Sequence, residues 1–202
     1  AFSSKLLITN ICHHVNNNIF SLILGKFYNV SDVGNYNQAN KWNAMGHSFI
    51  HGMVNSVAQP VLAQVADDKE RQLRVFRRMM RFTCFISFPT LFGLSLTAPE
   101  LITLAITDKW LPSALFMQIL CIGGAFLPLS NLFSQLLLSR GHSSTYMWCT
   151  IALSILQLAT AYIASPYGIQ TMLLAFITVN TGWIVVWLHF VHREIGLTFF
   201  SF

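Results

Sequence analysis

Uncharged, mostly apolar stretches recur along the chain at lengths that suit a membrane-crossing helix, which takes about 20 residues. With His taken as neutral, they are Leu6–Gly25, Trp42–Ala66, Phe82–Pro99, Trp110–Ser139 and Ser143–Leu188. The last is too long for one span. Ser165-Pro166-Tyr167-Gly168 within it is a turn signal, so it divides into a fifth and a sixth helix. The pattern predicts helices at about residues 4–28, 34–65, 72–98, 110–139, 142–164 and 169–191. Pro89 is expected to kink the third. The expected fold is all-α: a polytopic membrane protein whose residues 1–202 form one six-helix transmembrane bundle. The short connections leave no room for a soluble domain.

Composition supports this. Only 9% of residues are charged, 54% are hydrophobic and 13% aromatic, and mean hydropathy is +0.55. A soluble domain carries about 25% charged residues. The net charge of +5 rests on just 12 Lys and Arg, which argues against nucleic acid as a partner and points to the lipid bilayer. Cys12, Cys84, Cys121 and Cys149 lie in apolar runs without CxxC spacing and read as small buried side chains. Residues 1–25 lack a basic n-region and a cleavage site, so they do not read as a signal peptide. The chain, which starts at Ala1, is expected to be a piece of something longer.

The cations set an orientation. The segment Asp67-Asp68-Lys69-Glu70-Arg71 leads into Arg74, Arg77, Arg78 and Arg81, and such a basic cluster belongs on the cytoplasmic side. Strict alternation then places Lys5, Lys69, those five arginines, Arg140 and Arg193 inside. Lys26 and Lys109 fall outside, and Lys41 lies in the outer half of helix two. Both ends of the bundle are expected in the cytoplasm.

Polar residues within the spans carry the functional signal. On helix two, Asn37, Lys41, Ala44, Ser48, His51, Asn55 and Gln59 recur at steps of three or four and form one stripe, with Tyr36, Asn43 and His47 near it. Helix one carries Asn10, His14, Asn17 or Asn18, and Ser21. Such stripes face either a neighbouring helix, as hydrogen-bonding glue, or a hydrated pathway. Two adjacent striped helices favour the pathway, with Asn17, Lys41, His51 and Asn55 as its candidate residues. Lys41 either binds an anionic group such as a phosphate or snorkels to the interface.

Other chemistry is weakly signalled. His47 and His51 have i, i+4 spacing, but no carboxylate or Cys lies at ligand spacing beside them, so no metal and no cofactor is expected. All seven acidic residues fall in connections or ends, which leaves no intramembrane carboxylate to carry a proton or Na⁺. Arg71, Arg74, Arg77, Arg78 and Arg81 cover about a 120° arc of one helix. They read as a headgroup-facing anchor or as an attractor for a polyanionic lipid headgroup. Asp67 and Asp68 are the only acidic pair that could hold a divalent ion for group transfer. No phosphate loop or nucleophile–base pair accompanies them, and a solvated turn is the simpler reading.

An ordered set of motifs resembles a known family. It comprises Leu24-Gly25-Lys26-Phe27-Tyr28, Asp32-Val33-Gly34-Asn35-Tyr36 with Ala39, Pro60, Asp67-Asp68-Lys69-Glu70-Arg71, Phe88-Pro89 with Gly93-Leu94, Ala98-Pro99-Glu100, Lys109-Trp110 and Ser139-Arg140-Gly141. The chain resembles the C-terminal half of polysaccharide (O-antigen and exopolysaccharide) flippases of the MATE-like superfamily, in the lipopolysaccharide biosynthesis protein branch. The resemblance implies a transporter, not an enzyme. It would flip polyprenyl-diphosphate-linked oligosaccharide across the bacterial cytoplasmic (inner) membrane by alternating access. It further implies a partner bundle, N-terminal to this one and missing here, and a cavity cation, a role Lys41 could fill. The alternatives are a MATE-like exporter of small molecules and a membrane-embedded glycosyl- or phosphotransferase using Asp67 and Asp68.

Overall fold

The computed structural model describes residues 20–21 and 23–195. After helical residues at 20–21 and 23–27 come α1 (Val30–Gln64), α2 (Lys69–Leu96), the short α3 (Ala98–Ala105), α4 (Pro112–Gly124), α5 (Leu127–Ser139), α6 (Ser143–Ala164) and α7 (Ile169–Ile195). Single 3-10 turns at Asp108–Trp110 and Ser165–Tyr167 join α3 to α4 and α6 to α7. The described residues are all helix and connection, without a strand.

Local chemistry sets the boundaries. Asp68 caps α2: its backbone is extended and its Oδ1 accepts from Arg71 N at 3.0 Å, while Glu70 complements the helix dipole in the first turn. Prolines 99, 112 and 128 open α3, α4 and α5, where a missing N–H is harmless. α5 ends in a Schellman motif. Gly141 N bonds Leu138 O and His142 N bonds Leu137 O, both at 3.0 Å, with Gly141 at φ 80°. Gly168, at φ 99°, turns the chain into α7. Pro89 lies inside α2, which continues to Leu96.

The stretch expected as one helix at about 110–139 is interrupted at Ala125 and Phe126. Gly123 and Gly124 are weak helix formers, and Pro128 removes an i→i−4 bond. The gap stays tight because Phe126 N bonds Gly123 O at 3.1 Å and Ser87 Oγ on α2 donates to Ala125 O at 2.7 Å. Pro112–Ser139 thus acts as one 28-residue span. In its most apolar stretch 61% of residues are buried, against 22–28% for the other long apolar helices. It is the central column, with α1, α2, α6 and α7 around it.

Buried apolar side chains form two clusters along this column. One gathers Phe20, Tyr36, Leu91, Ile102, Met117, Cys121 and Leu173. The other gathers Ile50, Leu62, Phe76, Leu132, Phe133, Leu136 and Trp187. The perimeter is also apolar: Phe49, Phe85, Leu96, Leu104, Trp148, Ile155 and Ile163 are exposed. An apolar perimeter around an apolar core is what a bilayer solvates.

Among the described residues, four helices are long and apolar enough to cross a membrane: Lys69–Leu96, Pro112–Ser139, Ser143–Tyr167 and Ile169–Arg193. Six were expected. α1 has the length, at 35 residues, but its polar positions keep it from joining them. Most of the first expected helix lies outside the described residues.

Candidate functional site: a polar seam along the first long helix

The polar residues of α1 serve two faces. Tyr36, Asn40, Asn43 and His47 point inward to a cavity of about 310 Å³, closed from the other side by Thr150, Ser154 and Gln157 of α6 and Asn180 of α7. The lining contains no Lys, Arg, Asp or Glu. Gln157 Nε2 donates to Asn180 Oδ1 at 2.7 Å, tying α6 to α7. Asn43 is 4% exposed. Its Oδ1 and the Nδ1 of His47 are enclosed without a hydrogen-bond partner among the described residues. The cavity therefore holds unspent hydrogen-bonding capacity one helical turn apart. Asn43 fits against the central column only because position 124 is Gly: a Cβ there would lie 2.2 Å from its Oδ1.

The stripe read from the sequence lies about a quarter turn from this cavity face, and it meets different surroundings along its length. At one end Asn37, Lys41 and Ser48 are exposed. Ser21 Oγ, from the preceding helical residues, donates to Asn37 Oδ1 at 2.9 Å, so the two stripes touch there. Further along, His51 and Asn55 are half-buried. Asn55 Oδ1 accepts from Asn131 Nδ2 at 2.7 Å and from Gln135 Nε2 at 2.8 Å, and its own amide donates to His51 Nδ1 at 3.0 Å. That bond makes His51 Nδ1 the acceptor and leaves the ring proton on Nε2.

The change along the stripe follows from helix geometry. Buried residues on the second half of α1 are Ile50, Val54, Ala58 and Leu62. A step of four advances about 40° round a helix, so the contact face rotates toward the stripe and engages His51 and Asn55. Near Asn37 and Lys41 it has not yet come round.

The remaining sequence candidates are placed as follows. Asn17 lies outside the described residues. Arg71, Arg74, Arg78 and Arg81 are exposed and Arg77 is half-buried. Arg74 sits 3.9 Å from Glu70, a surface pair of little energetic weight. At the same end of the bundle Gln72, fully buried, donates to Leu62 O at 3.0 Å and accepts from Arg140 Nη1 at 2.8 Å, which clamps α1, α2 and α5 together. Among the described residues no three of His, Cys, Asp and Glu come close enough to hold a metal.

Sequence reasoning did not single out Asn40, Asn131, Gln135, Gln157 or Asn180. Each is an amide inside an apolar run, and Asn131 and Gln135 have i, i+4 spacing. The signal was the one that marked α1, on helices with fewer polar residues.

A polar seam inside an apolar helical bundle defines a multi-pass membrane protein. Sequence comparison narrows the class. The model of the polysaccharide biosynthesis protein family matches residues 1–115, and the chain belongs to that family. An uncharacterised membrane protein from the cps region of Klebsiella pneumoniae is 30% identical over 139 residues, 69% of this chain and 29% of that protein. The lipopolysaccharide biosynthesis protein WzxC of Escherichia coli K12 is 24% identical over 69% of this chain and 28% of its own length. The teichuronic acid biosynthesis protein TuaB of Bacillus subtilis 168 is 26% identical over 73% of this chain and 31% of its own. The matched region thus spans under a third of these relatives. No solved structure matches the chain.

Proposed function

We propose that this chain is one six-helix bundle of a longer flippase in the bacterial inner membrane, which moves polyprenyl-diphosphate-linked oligosaccharide to the outer leaflet. In this reading α1 and the helix before it complete the bundle as its fifth and sixth spans. A second bundle from the rest of the protein faces them. The protein acts by transport without bond chemistry.

The observation that carries this is the exposed polar face of α1. Asn37, Lys41 and Ser48 line it, and Ser21 extends it onto the preceding helical residues. Polar groups against hydrocarbon are costly, and a lysine near the bilayer centre costs about 2.5–3.5 kcal/mol on insertion scales. A helix too polar for lipid, in a bundle that turns Phe85, Leu104, Trp148, Ile155 and Ile163 outward elsewhere, is accommodated by a hydrated pathway. Asn17 belongs to the same pathway in this reading, and His51 and Asn55, half-buried and bonded to α5, brace its wall. Membership of a polysaccharide biosynthesis family supplies the cargo class, and Lys41 supplies a cation for its diphosphate. The transferase alternative is disfavoured because the Asp68 carboxylate is engaged as a helix cap.

Polysaccharide export in cells carrying Lys41 variants of the whole protein tests this, normalised to membrane protein level. Lys41→Arg should retain more export than Lys41→Gln, and Lys41→Glu should retain least. Equal export from all three would remove Lys41 from the pathway.

A further inference from the structure

α1 and α2 enclose a second feature, further along α1 and about a quarter turn round it from the polar cavity. A groove of about 640 Å³ runs between them, walled by Met53, Val54 and Val57 of α1 and Met79, Phe82 and Ile86 of α2. Val57 and Phe82 are at least half exposed in it. Its polar lining is Ser56, Thr83 and Arg78. The Ser56 hydroxyl is spent on Met53 O at 3.0 Å and Thr83 is buried, so Arg78 is the one charged group at the groove. No carboxylate pairs with it among the described residues.

We infer that this groove is a binding slot for the isoprenoid chain of a polyprenyl diphosphate, with the diphosphate held at Arg78. The assignment rests on the flippase reading and names a subsite for its substrate.

Three features select this occupant. The first is shape: two helices bound one elongated slot between them. From Val75 to Ile86 it extends about 16 Å, long enough for several isoprene units. The second is its surface. Two methionines give it walls that adapt to the branched methyl groups of an isoprenoid. The third is charge. Arg78 lies at the end of the slot nearer the start of α2. Arg71, two turns earlier, falls on the same helix face and is exposed. A diphosphate carries more negative charge than a phosphodiester, and two arginines on one face match it. The start of α2 lies in the cytoplasm in this reading, so the headgroup would be captured at the leaflet where the lipid is loaded.

Photo-crosslinking of the whole protein in phosphatidylglycerol nanodiscs, with undecaprenyl diphosphate added as the probe, tests the slot. The crosslinker is p-benzoylphenylalanine at position 82, and the control places it at position 155 on the exposed face of α6. The inference predicts an undecaprenyl adduct at position 82 well above that at 155. Val57→Trp, which fills the slot, should abolish it. Arg78→Gln should weaken the probe's apparent affinity about fivefold, the equivalent of about 1 kcal/mol per interfacial cation. Both variants are scored only on monodisperse protein. Equal adducts at the two positions, phosphatidylglycerol as the main adduct at 82, or indifference to Val57→Trp would each overturn the inference. Polysaccharide export by the unmodified protein separates it from the reading beneath it. Export without the adduct sinks the slot alone, and the adduct without export sinks the flippase reading while the slot stands.

Discussion

At the scale of single residues, two glycines of the same fold should respond oppositely to a methyl group. A Cβ at Gly124 would meet Asn43 Oδ1 at 2.2 Å, whereas one at Gly52 would meet nothing within 4 Å. Asn43 would have to turn away from the central column into the cavity it borders, giving up its packing there. Gly124→Ala should therefore destabilise the bundle by about 1–3 kcal/mol, the usual range for overpacking. Gly52→Ala should be neutral or slightly stabilising, because Ala is the better helix former. Thermal unfolding in detergent, read by circular dichroism, distinguishes them, and a similar loss in both would contradict the packing described. The sequence showed Asn43 near a stripe but not that it points into a cavity. Its inward direction depends on where the central column lies against α1, and periodicity on α1 alone cannot supply that.

The helices themselves follow from local signals. The turn at Ser165–Gly168 was legible because Pro and Gly act there through their own backbones, and Arg140-Gly141 ends α5 for the same reason. The polar stripe on α1 was legible as a stripe. Its division into an exposed half and a half bonded to α5 was not, because it arises from the slow rotation of the contact face between two packed helices. The break at Ala125–Phe126 was missed as well: a continuous apolar run hides it, although Gly123, Gly124 and Pro128 mark it. The Asp67-Asp68 pair belongs at this scale. Replacing both with Ala removes the α2 cap, which should cost about 1 kcal/mol and leave polysaccharide export largely intact. Loss of export with normal insertion, together with a divalent-metal requirement, would favour the transferase alternative.

For the whole molecule, composition alone conveyed the membrane class, since 9% charged residues cannot clothe a soluble globule. The arrangement of the bundle around Pro112–Ser139 was not readable, because all the apolar stretches look alike until their packing is known. The orientation proposed from the cations makes a direct prediction. A Cys placed at Lys69, in a background without other cysteines, should resist an impermeant thiol reagent applied to intact cells and react once the membrane is opened. Labelling from outside would invert the layout.

The central claim is that the whole protein moves a lipid-linked oligosaccharide across a bilayer without altering it. Reconstitution into liposomes measures this most directly. A polyprenyl-diphosphate oligosaccharide is loaded in one leaflet, and its arrival in the other is followed by accessibility to an added glycosidase. The account predicts protein-dependent transfer of chemically intact lipid, sharply reduced by Lys41→Glu. Transfer no faster than in protein-free liposomes, or a product with an altered glycan or diphosphate, would contradict it.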